Sequence, residues 1–143
     1  MTQIYPSPIS YQGVMVSSTF VDLSEHRSAL IKAIKGQGLT DVAMENDSAK
    51  AGVDIIDSSL QMVRDSAAYI AIISHKYGQI PKCPKRNPRN LSITELEFDE
   101  AQRLNRPTLL FIMGDKHQVI PGNVETNASK RKKLSAFRER ARR

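Results

Sequence analysis

A chain of 143 residues, 40% of them hydrophobic, has enough apolar surface for one core and too little length for two. The single cysteine, Cys83, excludes a disulfide framework and a Cys/His zinc cluster and points to a reducing, cytoplasmic setting; no apolar run nears the ~20 residues of a membrane span, and residues 1–12 lack the regions of a signal peptide. The net charge of +6 is a property of the C-terminus, because residues 130–143 carry eight basic side chains and one acid, which leaves the rest at −1.

In chain order, Gly13-Val14-Met15-Val16-Ser17 is a short β-forming run, and Ser18-Thr19 after it have the chemistry of a helix start. From Asp22 to Lys35 the apolar positions Leu23, Leu30, Ala33 and Ile34 recur at helical spacing, and Gly36 and Gly38 supply the stop. Thr40 to Glu45 reads as a second strand ending at an acid, followed by a polar loop to Gly52. Val53, Ile56, Leu60 and Val63 mark a second amphipathic helix. Ala67 to Ser74 is continuously apolar up to its last residue, the pattern of a central parallel strand covered on both faces.

The segment from Lys76 to Asn90, with Pro81, Pro84 and Pro88, is a loop carrying a second basic cluster. Ile93 to Leu104 is expected to form a third helix, with Glu95, Glu97, Asp99 and Glu100 in its first turns, where acids are favoured by the helix dipole and are often plain surface. Thr108 to Met113 reads as a fourth buried strand. Ala128 to Arg142 is helical by composition, with Leu134, Phe137 and Ala141 on one stripe.

The alternation β-α-β-α-β-α-β predicts an α/β fold: a doubly wound, flavodoxin-like parallel sheet of four to five strands with helices on both faces. It would occupy residues 13–125, after an extension at 1–12 and before a basic helix at 126–143 that leads toward a downstream region. Such sheets bind ligands beyond the carboxyl ends of their strands. That edge gathers Ser17, Ser18 and Thr19, then Glu45, then Tyr77 and Gly78, with Ser92 and Glu97 approaching from the third helix. No Gly-x-Gly-x-x-Gly or Walker A pattern is present, which excludes those dinucleotide and phosphate cradles.

The ordered set Val14-Met15-Val16-Ser17-Ser18-Thr19-Phe20, Asp22-Leu23, Arg27, Glu45, Tyr77-Gly78, Ser92-Ile93-Thr94-Glu95 and Glu97 resembles the family catalogued as DUF4062, whose members look like distant relatives of TIR domains and nucleoside 2-deoxyribosyltransferases. The resemblance spans Gly13 to Met113. It implies a TIR-like domain of a larger signalling or defence protein, with a glutamate on the helix before the fourth strand. Glu97, followed by Ala101 and the strand after Pro107, matches that glutamate's spacing, and Glu95 belongs to the Ser-x-Thr-Glu pattern. The implied activity is hydrolysis of the N-glycosidic bond of NAD or a related nucleotide, with NAD as substrate and no resident cofactor or metal. A carboxylate suits that reaction because bond cleavage builds positive charge at the anomeric carbon. The chain departs from TIR enzymes in having no Trp, hence no Trp-Cys pair before the glutamate.

Each residue also has a plain structural role to set beside the chemical one. Glu97 is catalytic, or else a capping or solvated acid. Ser17, Ser18 and Thr19 bind phosphate or ribose, or cap a helix; Glu45 holds ribose hydroxyls, or pairs with Arg27; Tyr77 stacks on a base, or packs under the long loop. His26, His75 and His117 have no metal spacing. The expected partners are a nucleotide, other copies of the chain or downstream domains, with membrane and nucleic acid not expected. The competing function is a non-catalytic oligomerisation or protein-interaction module.

Overall fold

The computed structural model describes residues 13–19, 23–42 and 52–143, with side chains in the second helix from residue 55 onward. Strands β1 (Gly13–Ser18), β2 (Thr40–Val42), β3 (Ala68–Ile73) and β4 (Thr108–Ile112) alternate with helices α1 (Ser24–Gly36), α2 (Gly52–Arg64) and α3 (Ile93–Arg103), and α4 (Ala128–Ala141) closes the chain. All pairings are parallel and the order is β2-β1-β3-β4. This is a doubly wound α/β sheet, with four strands among the described residues. Order reverses at β1, which lies between β2 and β3, so the carboxyl end of β1 is where a ligand crevice is expected.

Side-chain alternation along the strands sorts the core into two layers. Val14 and Val16 of β1 pack with Ile34, Leu30 and Ile31 of α1. On the opposite face Met15, Tyr69, Ala71 and Ile73 meet Val63 of α2, Phe98 and Ala101 of α3, and Leu134 and Phe137 of α4. The stripe predicted for the C-terminal helix is therefore buried against α3, where the rings of Phe98 and Phe137 meet edge to face at 5.5 Å.

Three expectations need correction. β4 is not buried on both faces: it is an edge strand, and Leu109 and Phe111 are 52% and 46% exposed. A continuous apolar run reads as covered on both sides, yet only the face toward α3 is packed here, because α4 docks on that side too. α1 is not capped by the hydroxyls of Ser18 or Thr19: it runs Ser24–Gly36 with Leu23 as its N-cap and no side-chain cap hydrogen bond, and Asp22 lies outside the described residues. The acids of α3 are not plain surface, since Glu95, Glu97 and Glu100 are all buried. The described part of β2 ends at Val42, so Glu45 and the rest of the predicted strand lie outside the described residues.

Among the described residues, no helix is long and apolar enough to cross a membrane.

Candidate functional site

The approach to α3 is held by Asn87. Its side-chain amide donates to the carbonyls of Pro81 and Leu91, and its oxygen accepts the N–H of Leu91, each at 2.9 Å. One buried side chain thus fixes the turn that the prolines alone only prevent from becoming helix or strand. Asn90, in the left-handed region, completes it. Ser92 is the N-cap of α3: its backbone is extended and its hydroxyl accepts the N–H of Glu95 at 3.2 Å.

Once α3 is started there, Thr94 and Glu97, one turn apart, face the carboxyl end of β1. Ser17 Oγ lies 3.3 Å from both Thr94 Oγ1 and Glu97 Oε1 and can donate to either. Thr94 Oγ1 donates to the Ser18 carbonyl at 3.3 Å, and Tyr69 donates its hydroxyl to the Thr94 carbonyl at 3.2 Å. Glu97 is only 3% exposed. Burial penalises its charged form and pushes its pKa up to about 8, against the opposing pull of the Ser17 hydroxyl and the positive charge of Arg27. The Tyr69 hydroxyl is raised well above its ordinary value, by burial first and by the neighbouring Glu97 carboxylate second.

Glu95, two residues earlier, points to a different place. Successive α-helical residues turn by about 100°, so Glu95 and Glu97 diverge by about 200°. Glu95 Oε1 accepts the Tyr77 hydroxyl at 2.5 Å, and Glu95 Oε2 is paired with Arg140 of α4 at 2.8 Å. Arg140 also pairs with Asp99 at 2.8 Å and stacks over the rings of Phe98 and Phe137. Tyr77 is fully buried, its oxygen accepts the Ser92 N–H at 3.0 Å, and burial with the Glu95 contact raises its pKa.

Thr19 belongs to a third group. Its hydroxyl accepts the Ser74 N–H at 2.8 Å and donates to Ser74 Oγ at 3.0 Å, which ties the carboxyl ends of β1 and β3 together. Gly78 lies against it with φ +95°, and a Cβ there would come within 2.7 Å of the Thr19 carbonyl oxygen. Arg138 caps the same edge, donating to the carbonyls of Ser74 at 3.3 Å and Met113 at 2.5 Å.

Of the residues singled out from the sequence, the fold thus brings Ser17, the Ser18 carbonyl and Glu97 together, and groups Glu95, Tyr77 and Ser92 around the docking of α4. Glu45 lies outside the described residues, as do residues 20–22 that follow this edge in the chain. Sequence reasoning missed Thr94 and Tyr69 as site residues. Thr94 is detectable as the residue one turn before Glu97, and Tyr69 as the one hydroxyl inside an otherwise apolar central strand. Among the described residues, no group of three or more His, Cys, Asp or Glu side chains is arranged to hold a metal ion.

The family model of DUF4062, a domain of unknown function, matches residues 13–143, nearly the whole chain. The chain belongs to that family. No curated protein matches the chain. Within this DUF4062 domain the matched span covers both the Ser17–Glu97 contact and the helix α4 that Glu95 fastens down.

Proposed function

We propose that this DUF4062 domain is TIR-like and cleaves the N-glycosidic bond of NAD or a related nucleotide when a larger signalling or defence protein clusters its copies. The observation that carries the reading is the buried Glu97 carboxyl, held by Ser17 at the carboxyl end of the strand where sheet order reverses. In the reaction the C–N bond electrons leave with the base, positive charge develops on the ribose, and the Glu97 carboxylate stabilises it until water adds to the anomeric carbon and gives up its proton to solvent. Ser17 positions the carboxylate. With its pKa near 8, Glu97 is mostly protonated at neutral pH, so the working form is favoured by a cationic leaving group such as a pyridinium ring.

Released base, measured after incubating the domain with NAD or nucleosides, alone and artificially clustered, tests the proposal. Glu97→Gln must abolish turnover. Turnover that survives Glu97→Gln defeats the reading, and turnover lost in Glu95→Gln alone moves the chemistry to the other carboxyl.

The second reading, a non-catalytic interaction module, is favoured by the packing at the same edge. The Thr19–Ser74 tie and the approach of Gly78 to the Thr19 carbonyl fill space beyond β1 and β3. Absence of base release from clustered protein, together with self-association, would support it.

A further inference from the structure

Two basic segments that are forty residues apart in sequence form one surface. The Lys133 ammonium of α4 donates to the main-chain carbonyls of Asn90 at 2.7 Å and Arg89 at 3.3 Å, so the first turns of α4 lie against the loop before α3. The loop contributes Lys82, Lys85 and Arg89 and the helix contributes Lys130, Arg131 and Lys132, with all but the half-buried Lys130 exposed. The loop supplies no acid of its own, and α4 supplies one, the exposed Glu139 near its C-terminal end. Residues 66–94 and 126–138 contain no Asp or Glu, and Glu125 between them is buried with its carboxylate on the Tyr77 N–H.

Nearby acids are already engaged: Asp57 pairs with Arg86, Glu95 and Asp99 pair with Arg140, and Glu139 faces Arg142. Lys82, Lys85, Arg89, Lys130 and Lys132 have no ion-pair partner among the described residues. Folding does not account for the helical cluster, because cations in the first turn of a helix oppose its dipole, and α4 has no acid there. Between Ala128 and Glu139 the outer face of α4 is a shallow hollow with Arg131 and Lys132 in its lining.

Against the expectation from sequence that nucleic acid is no partner, we infer from this placement that the joined face of loop 81–90 and helix α4 binds the phosphate backbone of double-stranded nucleic acid without reading its sequence. Cations without counter-ions, repeated along a surface, suit a regular row of phosphates, whose displaced counter-ions drive binding. A membrane is a poorer fit, because a surface-lying helix needs a free apolar face and α4 buries Leu134 and Phe137 in the core. A single strand is also a poorer fit, because loop 81–90 and residues 128–136 contain no aromatic side chain on which bases could stack.

Fluorescence anisotropy with a labelled random-sequence duplex, the matching single strand and phosphatidylserine vesicles, each titrated with salt, tests the inference on the full chain. With about six phosphates contacted, log affinity for duplex should fall against log salt with a slope near −5. The doubles Lys82→Gln/Lys85→Gln and Lys130→Gln/Lys132→Gln should each flatten that slope by about two, one for each cation removed. Lys32→Gln, on the exposed side of α1, should leave it unchanged. No duplex binding at low salt, a slope indifferent to either double, or a preference for the single strand or the vesicles would overturn the inference. Because none of these residues belongs to the Glu97 site, the result stands whether or not base release is found.

Discussion

Replacing Glu97 by glutamine should stabilise this protein as pH rises, the opposite of what losing a buried hydrogen-bonding residue usually does. The Glu97 carboxyl has a pKa of about 8 in the folded chain against 4.5 for an ordinary glutamate. The folded protein therefore holds this proton more tightly than the unfolded chain does. At pH 4 both states are protonated and nothing is lost. As pH rises the unfolded chain ionises first, and the folded state loses stability progressively until Glu97 ionises as well, above pH 8. Linkage between those two pKa values makes the loss about 3 kcal/mol between pH 5 and pH 8, an order-of-magnitude figure for one fully buried group. Glutamine at this position is a neutral near-isostere with no such dependence. Urea unfolding at pH 5, 6, 7 and 8 should show the variant gaining on the wild type at each step. Parallel curves for the two proteins across that range would refute the argument, since they would mean that Glu97 is ionised in the fold at no cost.

Arg140→Ala removes the cation that pairs with the buried Glu95 and with Asp99, and should cost about 1–2 kcal/mol by urea unfolding, discounted because the Arg140 side chain is 40% exposed. Gly78→Ala forces a side chain onto a left-handed backbone and against the Thr19 carbonyl, and should lower stability by about 2 kcal/mol or more in the same assay. Phe137→Ala, in the core, should cost about 3–5 kcal/mol, whereas Phe111→Ala on the bare face of β4 should cost less than about 1 kcal/mol; thermal melts of the pair test the edge position of β4.

Much of the architecture was legible because it depends on local period. The apolar run Ala67 to Ile73 read correctly as the central strand, and the Leu134/Phe137 stripe as a docking face. What period cannot say is which elements end up on which side. β4 has the composition of a buried strand, yet it stays half bare at the sheet edge while α4, with Phe137 against Phe98, packs on the α3 side. Thr19 reads as a helix cap for the same reason: a hydroxyl after a strand is a good cap, and nothing nearby in sequence announces Ser74, its actual partner 55 residues on. The site was half legible. The spacing of Thr94, Glu97 and Ala101 places one helix face toward the sheet, but Glu95 finds Arg140 45 residues later, and no local pattern contains that contact.

The three buried glutamates of α3 show why Glu97 is the one to follow. Glu95 and Glu100 are buried with cations: Arg140 for the first, Arg64 and Arg103 for the second. For these two the fold satisfies a carboxylate that it has taken out of water, and neither needs a function to explain it. Glu97 sits deeper: the Ser17 hydroxyl donates to it and the charge of Arg27 favours its ionised form, but burial outweighs both and keeps its pKa raised. A glutamine could accept the same Ser17 hydroxyl and would avoid the alkaline penalty. A side chain that lowers stability near neutral pH, when a near-isosteric substitute would not, has the profile of a group kept for chemistry rather than for folding, and that profile is what the proposed role of Glu97 at the end of β1 requires.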